Sequence, residues 1–365
     1  MRTLMILLSC LWLTAAPPLQ VGVFEGNGAS PDCVVETLEA LRIDPGIRVR
    51  RVSSVAIARG ELARLDVLVF PGGSGSAQYL DLGSSLQERI RRFVREDGRG
   101  VVGICAGAYL LSDTPAYPCL NLLEAKAIDM EHDERGSAVV KVAFTGEGLG
   151  HFPEMKGVPA GYLQYHDGPI FLPSTGVTVL ATFQSDVHSG VGAPEGLTPG
   201  KPFLLGQPQG KGRVFASVGH PESTAGMRWM VPRMARWVAG REAVPYGAAS
   251  VRPGFNTREV LHDDAKENQA FWKLTAGEEG RALEALAFLA EERHRNGFRW
   301  AKGLLRDRSP AVRRKAAEVI ADFEYTAALP DLEVAVRLER DAPTRRVLAQ
   351  QLRRLRAHVG HPERP

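Results

Sequence analysis

The sequence is short of cysteine, and its few cysteines lie far apart. Four are present in 365 residues, and no pair has the C-x-x-C spacing typical of metal sites. The formal net charge of +3 is small for this length, so composition gives no argument for a nucleic-acid partner. No phosphate-binding Gly-Lys-Ser/Thr ending occurs either. We therefore predict a globular protein with no metal, no cofactor and no nucleic acid.

Long apolar runs are also missing, apart from a short one at the start. Arg2 precedes an apolar run from Leu4 to Leu13, and small residues at 14–16 resemble a cleavage site. This run is shorter than the about 20 residues that a membrane-spanning helix needs. We predict a signal peptide over residues 1–18 and export to the periplasm or the medium, without a stable membrane span after its removal. A buried first strand is the alternative.

One stretch combines a buried strand with a reactive side chain. Residues 101–104 suit a strand, and a Gly-x-Cys-x-Gly pattern centred on Cys105 leads into a short apolar helix. A nucleophile on a sharp strand-to-helix turn needs small neighbours, which Gly103 and Gly107 supply. The start of the helix would favour a thiolate there. A buried structural cysteine beside chance glycines is the alternative interpretation.

The surrounding residues predict an α/β fold. Apolar strands at residues 20–24, 47–52 and 65–70 alternate with helical patterns, which is typical of βαβ units in a doubly wound, mostly parallel sheet. Ligands bind beyond the carboxyl ends of the strands in such sheets. The Gly72-Gly73 loop and Cys105 both lie at predicted strand ends, so we expect them to share one site.

Beyond residue 120 the pattern changes. Residues 120–182 predict a β-rich extension of the same domain, so that the first domain spans residues 19–240. Residues 241–257, rich in Gly, Pro and Arg, predict a linker. Residues 258–360 predict an all-α domain, and the stretch after Asp307 is echoed 34 residues later, a period typical of helical repeats. We expect HEAT-like repeats that pack on the first domain or on a protein partner.

A His-Pro-Glu segment at residues 220–222 follows another predicted strand end. A cysteine becomes a strong nucleophile when a base takes its proton and a third group orients that base. His220 would accept the proton of Cys105, and Glu222 would fix the imidazole tautomer. Backbone N–H groups of Ala106 and Gly73 would stabilise the oxyanion.

These motifs resemble the class I glutamine amidotransferase superfamily, and within it the biotin-protein ligase N-terminal-like domain. The resemblance rests on residues 103–109, 165–169 and 210–222 and covers about residues 20–240. It implies a flavodoxin-like sheet and a catalytic triad of Cys105, His220 and Glu222. It does not imply biotin ligation, which belongs to a different domain. The usual reaction of the superfamily is glutamine hydrolysis, with the ammonia passed to a synthetase domain that we do not find in this sequence.

Other polar residues are weaker candidates. Gly72, Tyr165 and His166 are expected to contact substrate, because both loops reach toward the predicted cleft, although a surface role is the alternative for His166. His132 and His151 are further candidates. The carboxylates beside His132 would suit a cation, but such charged turns are usually solvated.

The remaining cysteines leave two possibilities. In an oxidising compartment Cys33 and Cys119 would pair, leaving Cys105 as the free thiol. The alternative is three reduced cysteines, since Cys10 would leave with the signal peptide.

Three functions are compatible with these features. The leading hypothesis is an exported cysteine hydrolase or amidase that acts on a small-molecule or peptide-like amide through an acyl-Cys105 intermediate. The second is a non-catalytic module that holds a ligand in the same cleft and docks a protein through its helical repeats. The third is a redox-sensing thiol at Cys105.

Overall fold

The computed structural model describes residues 17–131, 134–188, 193–293 and 295–358. The apolar run of the predicted signal peptide and His132 lie outside these ranges. Within them, the strands are β1 (Leu19–Phe24), β2 (Ile47–Val52), β3 (Val67–Phe70), β4 (Gly100–Ile104), β5 (Ala125–Ala127), β6 (Ser137–Phe144), β7 (Gly161–His166), β8 (Phe171–Pro173), β9 (Thr178–Phe183), β10 (Pro202–Gln209), β11 (Gly212–Ser217) and β12 (Val260–Leu261).

The helices of the described ranges flank the sheet and then fill the C-terminal region. They are α1 (Pro31–Leu41), α2 (Ser54–Ala58), α3 (Gly75–Arg95), α4 (Ala106–Leu111), α5 (Gly146–His151), α6 (Met230–Val238), α7 (Asp264–Thr275), α8 (Glu279–Glu292), α9 (Arg295–Leu304), α10 (Pro310–Asp322), α11 (Leu329–Leu338) and α12 (Ala342–Ala357). Short 3-10 turns lie at Glu61–Arg64, Pro153–Met155, Pro221–Ser223 and Thr326–Ala328. None of these helices combines the length and the apolar character that a bilayer-spanning segment requires.

The main sheet has a parallel half and an antiparallel half. Its order is β12-β6-β9-β10-β11-β4-β3-β1-β2, and β7 pairs with β6 off this path. Strands β2, β1, β3, β4 and β11 pair in parallel, whereas β11, β10, β9 and β6 pair antiparallel. The predicted α/β fold with a helical C-terminal region is confirmed. Of the antiparallel strands, β6, β7 and β9 lie largely within the predicted β-rich extension at residues 120–182, whereas β10 lies beyond it.

The apolar strand predicted before the Gly72-Gly73 loop is β3. It forms because its side chains are buried on both faces of the sheet. All four residues of β3 are buried, as expected of a strand inside a parallel sheet. Asp66 lies just before this strand, where one of its carboxylate oxygens accepts a hydrogen bond of 2.9 Å from the Gln20 backbone N–H. The polar residue is thus kept at the end of the strand, and β3 delivers the Gly72-Gly73 loop to the carboxyl edge of the sheet.

Two element boundaries differ from the sequence-based prediction. The helix predicted from Ser85 begins at Gly75, where the Ser74 hydroxyl accepts the Ala77 backbone N–H, and a kink at Gly83 with a φ of 61° separates its two parts. The residues at 260 and 261, assigned to the helical domain, instead form β12 on the edge of the main sheet. A strand of two residues is too short to give a periodic signal.

The C-terminal helices form a second apolar core, in which α10 packs against α8, α9 and α12. The predicted repeat turns are helix caps, because Ser309 caps α10 and Asp341 caps α12. A HEAT-like repeat remains a prediction.

Polar side chains join the two regions. Tyr325 donates a hydrogen bond of 2.7 Å to the Asp32 carboxylate at the start of α1. Arg228, fully buried after β11, donates to the Thr326 hydroxyl at 3.4 Å and to the His358 carbonyl at 3.1 Å. The helices are therefore held against the face of the sheet domain that carries α1.

A substitution in the turn after β4 tests how tightly the fold is packed there. A Cβ on Gly107 would lie 2.1 Å from the Phe70 carbonyl oxygen, whereas one on Gly303 in α9 would meet no atom within 4 Å. We expect Gly107→Ala to lower the free energy of unfolding by about 1–3 kcal/mol. Gly303→Ala should raise it by up to about 1 kcal/mol. Urea unfolding of both variants measures the difference, and equal effects would contradict the packing argument.

Candidate active site

Cys105 occupies a strained turn between β4 and α4. Its backbone has a φ of 53° and a ψ of −109°, a conformation that residues with a side chain rarely adopt. A Cβ on Gly103 would lie 2.4 Å from the Gly107 carbonyl oxygen, so the two glycines permit the turn that the sequence predicts. The turn places the cysteine at the carboxyl edge of the parallel strands.

His220 and Glu222 follow β11 at the same edge. The His220 backbone N–H donates a hydrogen bond of 2.8 Å to the Gln164 carbonyl, which fixes the turn beside β7. Nδ1 of His220 lies 2.7 Å from Oε1 of Glu222, and both side chains are buried. With Nδ1 donating to the carboxylate, Nε2 is an acceptor. Among the described residues this nitrogen has no hydrogen-bond partner.

The Cys105 thiol is neutral in this arrangement. Burial raises its pKa far above the usual range, and the nearby Cys33 acts in the same direction. Arg295 and a hydrogen bond from the Ala106 backbone N–H oppose this effect. The thiol donates to the His166 carbonyl oxygen at 3.4 Å rather than to His220. The structure therefore shows a thiol and an imidazole close together but not yet hydrogen-bonded.

Gly72 keeps the space between the reactive groups open. A Cβ on this residue would lie 2.9 Å from the Cys33 sulfur, 2.9 Å from Cε1 of His220 and 3.7 Å from the Cβ of Cys105. These three residues thus surround one point. Any side chain at Gly72 would occupy the space in which they meet.

A cleft of about 500 Å³ opens above this point, a volume suited to a small ligand. Its walls come from both regions of the protein. The residues that line it include Cys33, Gly73, Cys105, Ala106, His166, His220 and Arg295.

Arg295, the first residue of α9, brings a buried positive charge into the site. Its Nη2 donates hydrogen bonds of 3.0 Å to the Cys33 sulfur and 3.0 Å to the Glu36 carboxylate, and its Nε donates to the Ser223 hydroxyl at 3.2 Å. Ser223 in turn donates to Glu36 at 2.7 Å. The C-terminal helices therefore complete the site rather than merely flank it.

The buried carboxyl groups respond to this environment. Burial raises the pKa of Glu36 to about 6 and that of Glu222 to about 7, although Arg295 opposes both shifts. Burial lowers the pKa of His220 well below its usual value, and the positive charge of Arg295 acts in the same direction. The imidazole is therefore neutral at pH 7 and able to act as a base.

Several of the predicted site residues line the cleft. Gly73, Ala106 and His166 line the cleft together with Cys105 and His220. The side chain of His166 contacts the Ser137 hydroxyl, and its backbone carbonyl faces the thiol.

Tyr165 does not lie where the sequence predicts. Its ring is fully buried, and its hydroxyl accepts a hydrogen bond of 2.9 Å from Arg135 and donates one of 2.7 Å to the Gly168 carbonyl. Adjacent residues on a strand point to opposite faces. Because His166 faces the cleft, Tyr165 faces the core, and the expectation of a substrate contact is wrong for this residue.

The other sequence-based candidates lie elsewhere. His151 packs against Trp237, with ring centroids 5.4 Å apart, beside a second cavity of about 360 Å³. Cys33, Cys105 and Cys119 are all free thiols, so the alternative of three reduced cysteines holds and the Cys33–Cys119 pair does not form. His132 lies outside the described residues.

Sequence reasoning missed the roles of Cys33, Glu36 and Arg295. Cys33 had a usable signal, since it sits in the first turn of the helix after β1, at the same edge as the other strand ends. No sequence signal marks Arg295, because it lies in an Arg-rich helical region and nothing local distinguishes it from the other arginines.

One set of residues has the chemistry of a metal site. Ligand atoms of Cys33, His220 and Glu222 lie within 4.8 Å of one another. However, the Arg295 guanidinium already donates to the Cys33 sulfur at 3.0 Å. A fixed positive charge at that distance opposes binding of a divalent cation, so we do not assign a metal here.

The comparisons with known proteins agree with the sequence-based resemblance. Residues 19–120 match the family model described as "Biotin-protein ligase, N terminal", which covers β1 to β4, the Cys105 turn and α4. The predicted resemblance is confirmed over this range. No curated protein matches the chain.

Several solved structures are similar to it at low identity. A ThuA-like protein from Parabacteroides merdae is 16% identical, with a TM-score of 0.44, over 65% of this chain and 100% of that one. A cytoplasmic protein from Salmonella typhimurium is 16% identical, with a TM-score of 0.39, over 61% and 97%. A β-galactosidase from Bacillus circulans is 15% identical, with a TM-score of 0.39, over 67% and 33%.

The influence of Arg295 on the thiol can be measured by alkylation. Because this charge lowers the pKa of Cys105, its removal should reduce the thiolate fraction at a given pH, by about 10-fold for each pKa unit. We expect Arg295→Met to slow iodoacetamide labelling of Cys105 at pH 8–9, as followed by peptide mass spectrometry.

Two variants control this experiment. Arg295→Lys retains the charge and should recover part of the rate, whereas Arg306→Met, at an exposed arginine, should change nothing. Equal slowing by the Lys and Met variants would show that packing rather than charge is responsible.

Proposed function

We propose that this protein is a cysteine-dependent hydrolase that cleaves an amide bond in a small or peptide-like substrate. The observation that carries the proposal is the buried His220–Glu222 pair beside the strained Cys105 turn. Among the described residues, Nε2 of His220 has no hydrogen-bond partner. A base with a free acceptor and a fixed tautomer is what a thiol nucleophile requires. The signal-like pattern of residues 1–18 supports a substrate outside the cytoplasm.

Each group has a defined task in the proposed reaction. The Cys105 thiol exchanges its contact with the His166 carbonyl for one with Nε2 of His220, and the proton passes to that nitrogen. The thiolate attacks the amide carbon, and backbone N–H groups of Ala106 and Gly73 receive the oxyanion. The imidazolium, stabilised by Glu222, returns its proton to the leaving amine. Water then hydrolyses the acyl-cysteine by the same route.

Ligand binding without turnover is the second candidate. It is favoured by the thiol itself, which is neutral and hydrogen-bonded to His166 instead of to the base. In that case Cys105→Ser would leave ligand affinity unchanged and no substrate would be consumed. The helical region would then serve as the docking surface for a protein partner.

Replacing the nucleophile separates these two functions. With a panel of primary amides and short peptides, and with release of ammonia or amine as the readout, we expect Cys105→Ala to abolish hydrolysis. Cys119→Ala removes a buried thiol that contacts Thr114 and Asn121 outside the cleft, so it should retain activity. Hydrolysis that survives in Cys105→Ala would rule out the proposed mechanism.

The pH dependence of hydrolysis follows from Glu222. Burial raises its pKa to about 7. A protonated Glu222 would donate to Nδ1 and leave the hydrogen of the neutral imidazole on Nε2, where it blocks the base. We therefore expect kcat/KM to rise with pH through about 7, because the carboxylate forms there. Glu222→Gln should lower kcat/KM by about 100-fold or more and remove this rise. A rise at the same pH in Glu222→Gln would assign it to another group.

A further inference from the structure

The cleft contains a second thiol that the proposed hydrolysis does not use. Cys33, in the first turn of α1, is buried and lines the cleft with Cys105. The point 2.9 Å from the Cys33 sulfur is also 3.7 Å from the Cβ of Cys105, and only the missing side chain of Gly72 leaves it empty. The two thiols therefore approach one shared space from different elements.

Two features around Cys33 stabilise the thiolate form of its sulfur. Arg295 donates a hydrogen bond to it at 3.0 Å, and the cysteine lies at the positive end of an 11-residue helix. Burial is the larger influence and raises the pKa of the Cys33 thiol, and Glu222 and Glu36 act in the same direction, so the resting sulfur is a neutral thiol. The imidazole of His220 is close to both cysteines, because the point 2.9 Å from the Cys33 sulfur and 3.7 Å from the Cβ of Cys105 is also 2.9 Å from Cε1 of His220.

We propose that Cys33 and Cys105 form a two-thiol redox site that reduces a hydroperoxide and closes into an intramolecular disulfide. The Cys33 sulfur attacks one peroxide oxygen, the O–O bond breaks, and the proton of the thiol passes to the departing oxygen, which leaves as water or alcohol. Cys33 becomes a sulfenic acid, oxidised by two electrons. This step needs only the hydroperoxide as oxidant.

The second step uses the groups around Cys105. Its thiol passes a proton to Nε2 of His220, and the resulting thiolate attacks the Cys33 sulfur. The S–O bond breaks, and the hydroxide takes the proton from the imidazolium to form water. Two thiols and one hydroperoxide thus give one disulfide, one water and one water or alcohol. A dithiol reductant reverses the bond by exchange.

The disulfide would tie α1 to the turn after β4 and consume the proposed nucleophile. Hydrogen peroxide would then suppress hydrolysis and a reductant would restore it. The disulfide does not depend on amide hydrolysis, so either proposal can fail without the other.

Peptide mapping of the full chain tests the bond directly. Reduced protein is treated with one equivalent of hydrogen peroxide, its remaining thiols are blocked with N-ethylmaleimide, and the digest is analysed by mass spectrometry. We expect a linked peptide pair containing Cys33 and Cys105, absent after dithiothreitol. Cys119 should remain open to the blocking reagent after unfolding, and Cys119→Ser should leave the yield of the linked pair unchanged.

Single substitutions test the roles of Cys33 and Arg295 in forming the disulfide. Cys33→Ser should prevent the cross-link and leave Cys105 unlinked, and Arg295→Met should slow its formation several-fold, because the Cys33 sulfur loses its positive partner. A folded protein that keeps both thiols free after peroxide treatment would overturn the proposal. So would linkage of either cysteine to Cys119 or to a second copy of the chain. A disulfide needs β-carbons about 4 Å apart, so its formation also reports the spacing of the two residues.

Discussion

The buried guanidinium of Arg295 is the contact between the two regions of this protein that also reaches the candidate site. Burying an unpaired charge costs several kcal/mol, so its position depends on the three acceptors that surround it. Those acceptors belong to Cys33, Glu36 and Ser223, which lie on α1 and on the turn after β11. The same interaction therefore holds α9, α1 and the His220 turn in one arrangement. The packing of the helical region and the geometry of the site have the same physical cause.

Burial shifts the pKa values of the titrating groups of the site in the direction that favours their uncharged forms. Burial pushes the thiol, the imidazole and the carboxyl groups toward neutrality, and Arg295 acts against that tendency for every group except the imidazole. Within the part of the chain that the structure describes, Nε2 of His220 and one oxygen of Glu222 have no hydrogen-bond partner. Unpartnered buried polar atoms destabilise a fold, and they occur where function requires them. In a protein selected for stability alone, we would expect these two atoms to have hydrogen-bond partners.

Most of the site that could be predicted from the sequence depends on short local motifs. The Gly-x-Cys-x-Gly turn and the His-Pro-Glu segment each depend on residues within a few positions of one another, so their geometry could be anticipated. Arg295 could not be found in this way, because its partner Glu36 is 259 residues away and nothing local distinguishes it from other arginines. The prediction that Tyr165 contacts substrate was wrong for a different reason. Membership of a motif does not say which face of a strand a side chain takes, and the alternation along β7 decided it.

The linker predicted at residues 241–257 suggests a point at which the chain could be divided. The position of Arg295 shows that such a division would change the candidate site. A fragment ending there would keep every residue of the triad. It would also keep Glu36 and Glu222 buried without Arg295, which leaves Arg228 as a nearby positive charge. Such a fragment would be expected to protonate these groups, admit water, or shift α1. The helical region thus supplies a positive charge to the site of the α/β region, in addition to that of Arg228, and exchanging it for an unrelated domain would remove the hydrogen bonds of Arg295 to Cys33, Glu36 and Ser223.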